Sequence, residues 1–187
     1  MEICRECNSG FAADEEYFAA LIGAVLAGST DPDAQILPKA AGTYRANTEL
    51  RDLVERAATR YETRDGDPQV IWKPDVSRIN NVVLKNARGH AYFEFGEPML
   101  DAPDVIWALP LSALTDDQRV DFEDVSMNVW PEVGSRMMTR FATGEDLVDG
   151  WVEVQTGLYR YGVFQADGLV VRSVIANYLA TEVRWAN

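Results

Sequence analysis

The chain has 187 residues and a formal net charge of −13, with 30 acidic side chains against 17 basic ones and one histidine. So acidic a chain is poorly suited to neutralising a nucleic-acid backbone, which takes lysine and arginine. Its 47% apolar content and five tryptophans exceed what a disordered segment carries. No stretch reaches the roughly 18–20 uninterrupted apolar residues of a membrane span, and Met1-Glu2 lacks the basic and apolar regions of a secretion signal; the expectation is a soluble, cytoplasmic protein.

Cys4 and Cys7 open the chain in a C-x-x-C, with Asn8 directly after, and they are its only cysteines. Structural zinc takes four ligands, usually from two such pairs, so this is half of a site. A Cys4–Cys7 disulfide would close a very tight loop, and the cytosol keeps thiols reduced. A redox pair is opposed by Glu2, Glu6, Asp14, Glu15 and Glu16, which disfavour thiolate.

Residues 12–27 read as a helix with Phe18, Leu21, Ile22, Val25 and Leu26 at helical spacing, ended by Gly28. Thr30-Asp31-Pro32 starts a short second helix that Pro38 ends. Asn47 caps a third, whose apolar face is Leu50, Leu53, Val54, Ala57, Ala58 and Tyr61. A turn at 64–68 leads to a short strand at 69–72, and Asp75 caps a helix carrying Ile79, Val82, Val83, Ala87 and His90 on one side. Residues 105–109 read as a strand, and 111–122 include a short polar helix. Four β-rich runs follow, beginning at Trp151, Leu158, Leu169 and Leu179, with turn signals at 156–157, 167–168 and Asn177. Helices first and strands last predict an α+β fold, N-terminal helices packed on a C-terminal antiparallel meander. We expect one domain over 1–187, helical over about 1–66 and β-rich over about 67–187, with a soft joint near 62–68.

The stretch from Cys4 to Tyr17 resembles the second half of the metal-binding motif of bacterial HNH-endonuclease-like proteins, and residues 80–90 and 130–136 are also similar to proteins carrying that domain. In that family an earlier segment brings another C-x-x-C and a strand ending in a catalytic histidine, which activates water while a divalent metal supports the scissile phosphate. The resemblance implies Cys4 and Cys7 as half of a zinc site and Asn8 as the central asparagine of the motif. Nothing here matches the upstream cysteine pair or the catalytic histidine. An HNH centre needs a base that titrates near neutrality and hard ligands for its metal. The one histidine, His90, reads as a hydrogen-bonded core residue, so Asn8 and His90 are only weak catalytic candidates. Asp65, Asp67 and Lys73 are the nearest thing to a carboxylate nuclease site, and a Gly-Pro turn explains those acids. There is no P-loop and no dinucleotide fingerprint. Trp130, Trp151 and Trp185 could stack bases, but so few cations beside them favour burial; Met137 and Met138 read as packing, or as an adaptable partner surface.

Acids dominate from Glu97 to Asp124. They read as a solvated surface or as a dock for a basic partner, with Asp116, Asp117, Asp121, Glu123 and Asp124 as the partner-binding candidates. The expected function is therefore that of a catalytically incomplete HNH-like protein: an acidic protein-binding module, inhibiting a nucleic-acid-handling machine of mobile-element or anti-defence type by covering its DNA-binding surface. The alternative is an HNH-type nuclease whose N-terminal catalytic segment is missing from this chain, and a third class is an unrelated carboxylate-using enzyme. Zinc would enter only where a partner or a second subunit completes the site, as a symmetric homodimer would.

Overall fold

The structure is a computed structural model that describes residues 5–125 and 131–186, with side chains from Phe11 onward except that of Ala166. The chain divides into two compact units, Met1–Val82 and Val83–Asn187. The arrangement is α+β, and the division falls inside a helix rather than at residues 62–68, which form a hairpin turn. No helix among the described residues is long and apolar enough to cross a membrane.

In the first unit α1 runs over Arg5–Ala27, a 3-10 turn over Pro32–Ala34, α2 over Pro38–Ala46 and α3 over Thr48–Ala57. Tyr17, Phe18, Leu21 and Ile22 of α1 are buried together with Ala40, Ala41 and Tyr44 of α2 and Leu50 and Val54 of α3. The Tyr44 hydroxyl donates to the Ala20 carbonyl at 2.6 Å. Gly23, in the middle of α1, is required by the close approach of α2: a Cβ there would lie 2.4 Å from the Ala40 Cβ. Three expectations need correcting. Helix α1 already includes Arg5, well before residue 12, and runs through Asn8, Ser9 and Gly10 despite their low helix propensity, so Cys7 and Asn8 lie within it. Pro38 begins a helix instead of ending one, since its missing N–H and fixed φ suit the first helical position. Helix α3 stops at Ala57, and residues 58 and 61 belong to a strand.

That strand, β1 (Ala58–Glu62), pairs antiparallel with β2 (Pro68–Trp72) as an isolated hairpin. Next comes α4, Val76–Phe95, whose first turn is capped by Asp75: its Oδ1 accepts from the Ser77 and Arg78 amides at 3.1 and 3.4 Å. The caps and the turn are all local choices that the sequence makes visible.

The second unit is built on β3 (Val105–Pro110), β4 (Leu147–Val148), β5 (Trp151–Gln155), β6 (Tyr159–Ala166), β7 (Gly168–Ile175) and β8 (Leu179–Trp185). They form an antiparallel sheet of order β3-β8-β7-β6-β5-β4, a meander from β4 to β8 with β3 added along β8. Two helices, α5 (Asp116–Glu123) and α6 (Arg136–Thr143), lie between β3 and β4 in the chain. Strand β7 is buried on both faces. On one face Leu111, Phe122, Val125, Trp151, Val174 and Ala180 form a core with Trp107 and Phe164. On the other, Tyr159 and Tyr161 meet the later part of α4. Gly168 makes the β6–β7 turn at φ +115°, and a Cβ there would fall 1.9 Å from the Trp185 carbonyl oxygen, so only glycine fits.

Candidate functional site

Cys4 lies outside the described residues; Cys7 and Asn8 are in α1, and their side chains lie outside them. Among the described residues no three His, Cys, Asp or Glu side chains gather as ligands for a metal ion.

His90 sits on α4, half-buried. Its Nε2 meets the Tyr159 hydroxyl at 2.5 Å, and its ring stacks on that of Tyr161 with centroids 3.7 Å apart. The strands supply those partners because residues 159 and 161, two apart on β6, share one sheet face. Burial lowers the His90 pKa from 6.5 to about 4, which leaves the imidazole neutral at pH 7. A general base for neutral pH needs a value much closer to 7. The same burial raises the pKa of both tyrosines, so neither offers a phenolate. Because the folded value lies below the unfolded one, the unfolded chain takes up the proton first. His90 thus stabilises the fold fully above about pH 6.5, and that contribution drains away as pH falls toward 4. It amounts to at most about 3 kcal/mol. Urea unfolding at pH 7 and pH 4.5 should show this loss in the wild type and a smaller one in His90→Phe; equal losses would remove the assignment.

Beside His90 is a second buried group. Glu94, one turn further along α4, is 0% exposed. It accepts from the Tyr161 hydroxyl at 2.6 Å and from Arg140 Nε of α6 at 3.2 Å, while Arg140 Nη1 holds Asp146 at 2.7 Å. Sequence reading missed this cluster; its one visible sign is a glutamate at helical spacing from His90 on an otherwise apolar face.

The acidic helix α5 lies over the opposite sheet face. Thr115 and Gln118 close a capping box at its start, with Asp116 and Asp117 in the first turn, where carboxylates complement the helix dipole. Two arginines from the sheet clasp its other end. Arg172 Nη1 donates to the carbonyls of Asp121, Phe122 and Asp124 at 2.6, 3.2 and 3.1 Å, and its Nη2 reaches Asp121 Oδ2 at 3.3 Å. Arg172 Nε pairs with buried Glu182 at 2.7 Å. Arg160 pairs with Glu123 at 2.8 Å and stacks over the Trp151 ring, whose Nε1 donates to the Glu123 carbonyl at 3.3 Å. The five acidic candidates therefore divide. Asp121 and Glu123 have ion-pair partners in the sheet and the Asp124 carbonyl is held by Arg172, while Asp116 and Asp117 face solvent.

Trp151 and Trp185 are buried, as is Met137, so neither tryptophan is a base-stacking platform; Trp130 lies outside the described residues. Asp65 and Asp67 occupy the exposed β1–β2 turn, where the Asp67 amide donates to Thr63 Oγ1. No family profile, no curated protein and no solved structure matches the chain.

Proposed function

We propose that this protein is an acidic protein-binding module of HNH-like ancestry, and that helix α5 presents its partner-binding face. The observation that carries the reading is Val120, 72% exposed, on the same side of α5 as Asp116 and Asp117, four and three residues before it. An apolar side chain flanked by carboxylates suits a basic protein surface, where charge steers the encounter and apolar contact holds it. The arginine clasp underneath keeps the helix in place, so little order has to be imposed on binding. A DNA-binding surface is such a partner, and covering it would inhibit the machine that uses it.

The test is affinity capture from the host, then titration of the captured partner. The pair Asp116→Lys/Asp117→Lys should weaken association at least tenfold while the chain stays folded, its melting temperature lowered only by the lost complement to the helix dipole, and raised salt should weaken the wild-type complex in the same direction. Unchanged affinity on both counts would end the electrostatic reading. In the same view the neutral, tyrosine-bound His90 is a packing residue. The purified chain should leave plasmid DNA intact with magnesium, manganese or zinc; turnover that disappears in His90→Ala or Asn8→Ala would overturn that. Zinc on Cys4 and Cys7 then belongs to a four-cysteine site shared by two chains, so metal content and a doubled native mass should appear together and vanish together in Cys7→Ser.

A further inference from the structure

A cavity of about 480 Å³ opens between residues 97–104, just after α4, and the end of β8. Its lining alternates Glu97, Asp101 and Asp104 with Pro98, Met99 and Trp185, and Leu100, 75% exposed, forms a lip. The segment is tied down at several points. Arg88 of α4 donates to three consecutive carbonyls, of Met99, Leu100 and Asp101, at 2.8, 3.0 and 2.9 Å. Trp185 Nε1 donates to the Asp101 carbonyl at 3.2 Å, and Asp104 Oδ2 accepts from the Ala186 amide at 2.7 Å. Met99 is held at φ 41°, a conformation that bulky residues rarely keep without such ties.

Two kinds of surface meet in this notch. An ion site would be walled with oxygen on all sides; here half of the lining is apolar. Arginine and lysine side chains have the matching division, a methylene stem that packs on apolar surface and a charged head that wants carboxylate. Among the described residues Glu97 and Asp101 pair with no cation, whereas Glu94, Glu123 and Glu182 in the same unit each have an arginine. The Arg88 charge is already directed at backbone carbonyls. We infer that the notch is the anchor pocket for one arginine or lysine side chain of the partner, its stem against Met99 and Leu100 and its head between Glu97 and Asp101. This rests on the protein-binding reading and gives that partner a chemical feature: a projecting cationic side chain on a basic surface.

Solution NMR of the full chain tests this without the partner, using capped pentapeptides Gly-Gly-X-Gly-Gly with X as arginine, lysine or neutral citrulline. The arginine and lysine peptides should shift the Met99 methyl, the Leu100 methyls and the Trp185 indole N–H saturably, and the citrulline peptide should not. Glu97→Gln/Asp101→Asn should weaken that binding at least fivefold. Asp116→Asn/Asp117→Asn, the same change of charge elsewhere, should alter it less than twofold. Backbone spectra of the variants away from the substitutions check that each is folded. No saturable shift at millimolar peptide, or equal weakening by both pairs, would overturn the assignment. If that happened while Asp116→Lys/Asp117→Lys still weakened partner binding, the pocket would fall and the module reading would stand.

Discussion

Arg172→Met should destabilise the second unit by about 3–5 kcal/mol, the usual consequence of removing one partner from a buried ion pair. The change leaves Glu182, 4% exposed, with only Arg184, which reaches its Oε1 at 2.9 Å. It also removes the donor to the carbonyls of Asp121, Phe122 and Asp124, which lie in the last turn of α5 and just after it, where helix carbonyls lack intrahelical partners. Methionine fills much of the volume, so the loss reports charge and hydrogen bonding rather than a cavity. Four of the five tryptophans fall in the second unit, which makes their fluorescence in urea a suitable reading. The double variant Arg172→Met/Glu182→Leu should recover a large part of the loss, because no uncompensated carboxylate then remains. Amide exchange should quicken over residues 116–125 in the single variant more than in the strands. A loss within about 1 kcal/mol, or an α5 whose exchange does not change, would mean the clasp is not what holds the acidic helix.

Much of this architecture is legible in the residues, and the parts that are not have identifiable causes. The β-rich runs from Trp151 to Trp185 match β5 to β8, since their alternation and turn residues are local signals. The third-helix prediction ran past Ala57 because Ala58 and Tyr61 continue its 3.6-residue spacing; pairing of Ala58 with Trp72 and Tyr61 with Gln69 overrides that pattern. Around Met137 and Met138 the sequence suggests packing or an adaptable partner surface but not helix α6, although Ser135 caps it by accepting from the Met138 amide at 3.0 Å and Gly144 ends it at φ 69°. Its eight residues are too few for periodicity to stand out. The Arg172–Glu182 pair had a readable sign: two opposite charges inside apolar β runs, brought directly across from each other by a turn at residues 176–178. The long-range partners had none. Nothing local ties Arg172 to carbonyls fifty residues earlier, or His90 to Tyr159, and the acids of α5 looked alike until their contacts separated them.

Glu94→Leu should cost about as much as losing Arg172, roughly 3–5 kcal/mol, because one carboxylate joins three elements. Glu94 comes from α4, Arg140 from α6 and Tyr161 from β6, and the carboxylate answers both a guanidinium and a hydroxyl. Leucine leaves the Tyr161 hydroxyl with no acceptor and Arg140 with Asp146 as its remaining carboxylate, itself mostly exposed. Glu94→Gln keeps the shape and an acceptor for Tyr161 but withdraws the charge facing Arg140, so its loss should be smaller, about 1.5–3 kcal/mol. Arg140→Met measured in both backgrounds closes a double-mutant cycle. A coupling above about 1 kcal/mol between residues 94 and 140 is expected, since contacting members of one network do not add. Tyr161→Phe separates the hydroxyl from the stacking: it should weaken the fold by about 1 kcal/mol while leaving His90 neutral at pH 7, because the ring against the imidazole remains. If Glu94→Leu were as stable as the wild type, or if the cycle showed no coupling, α4 and α6 would be held to the sheet by apolar packing alone.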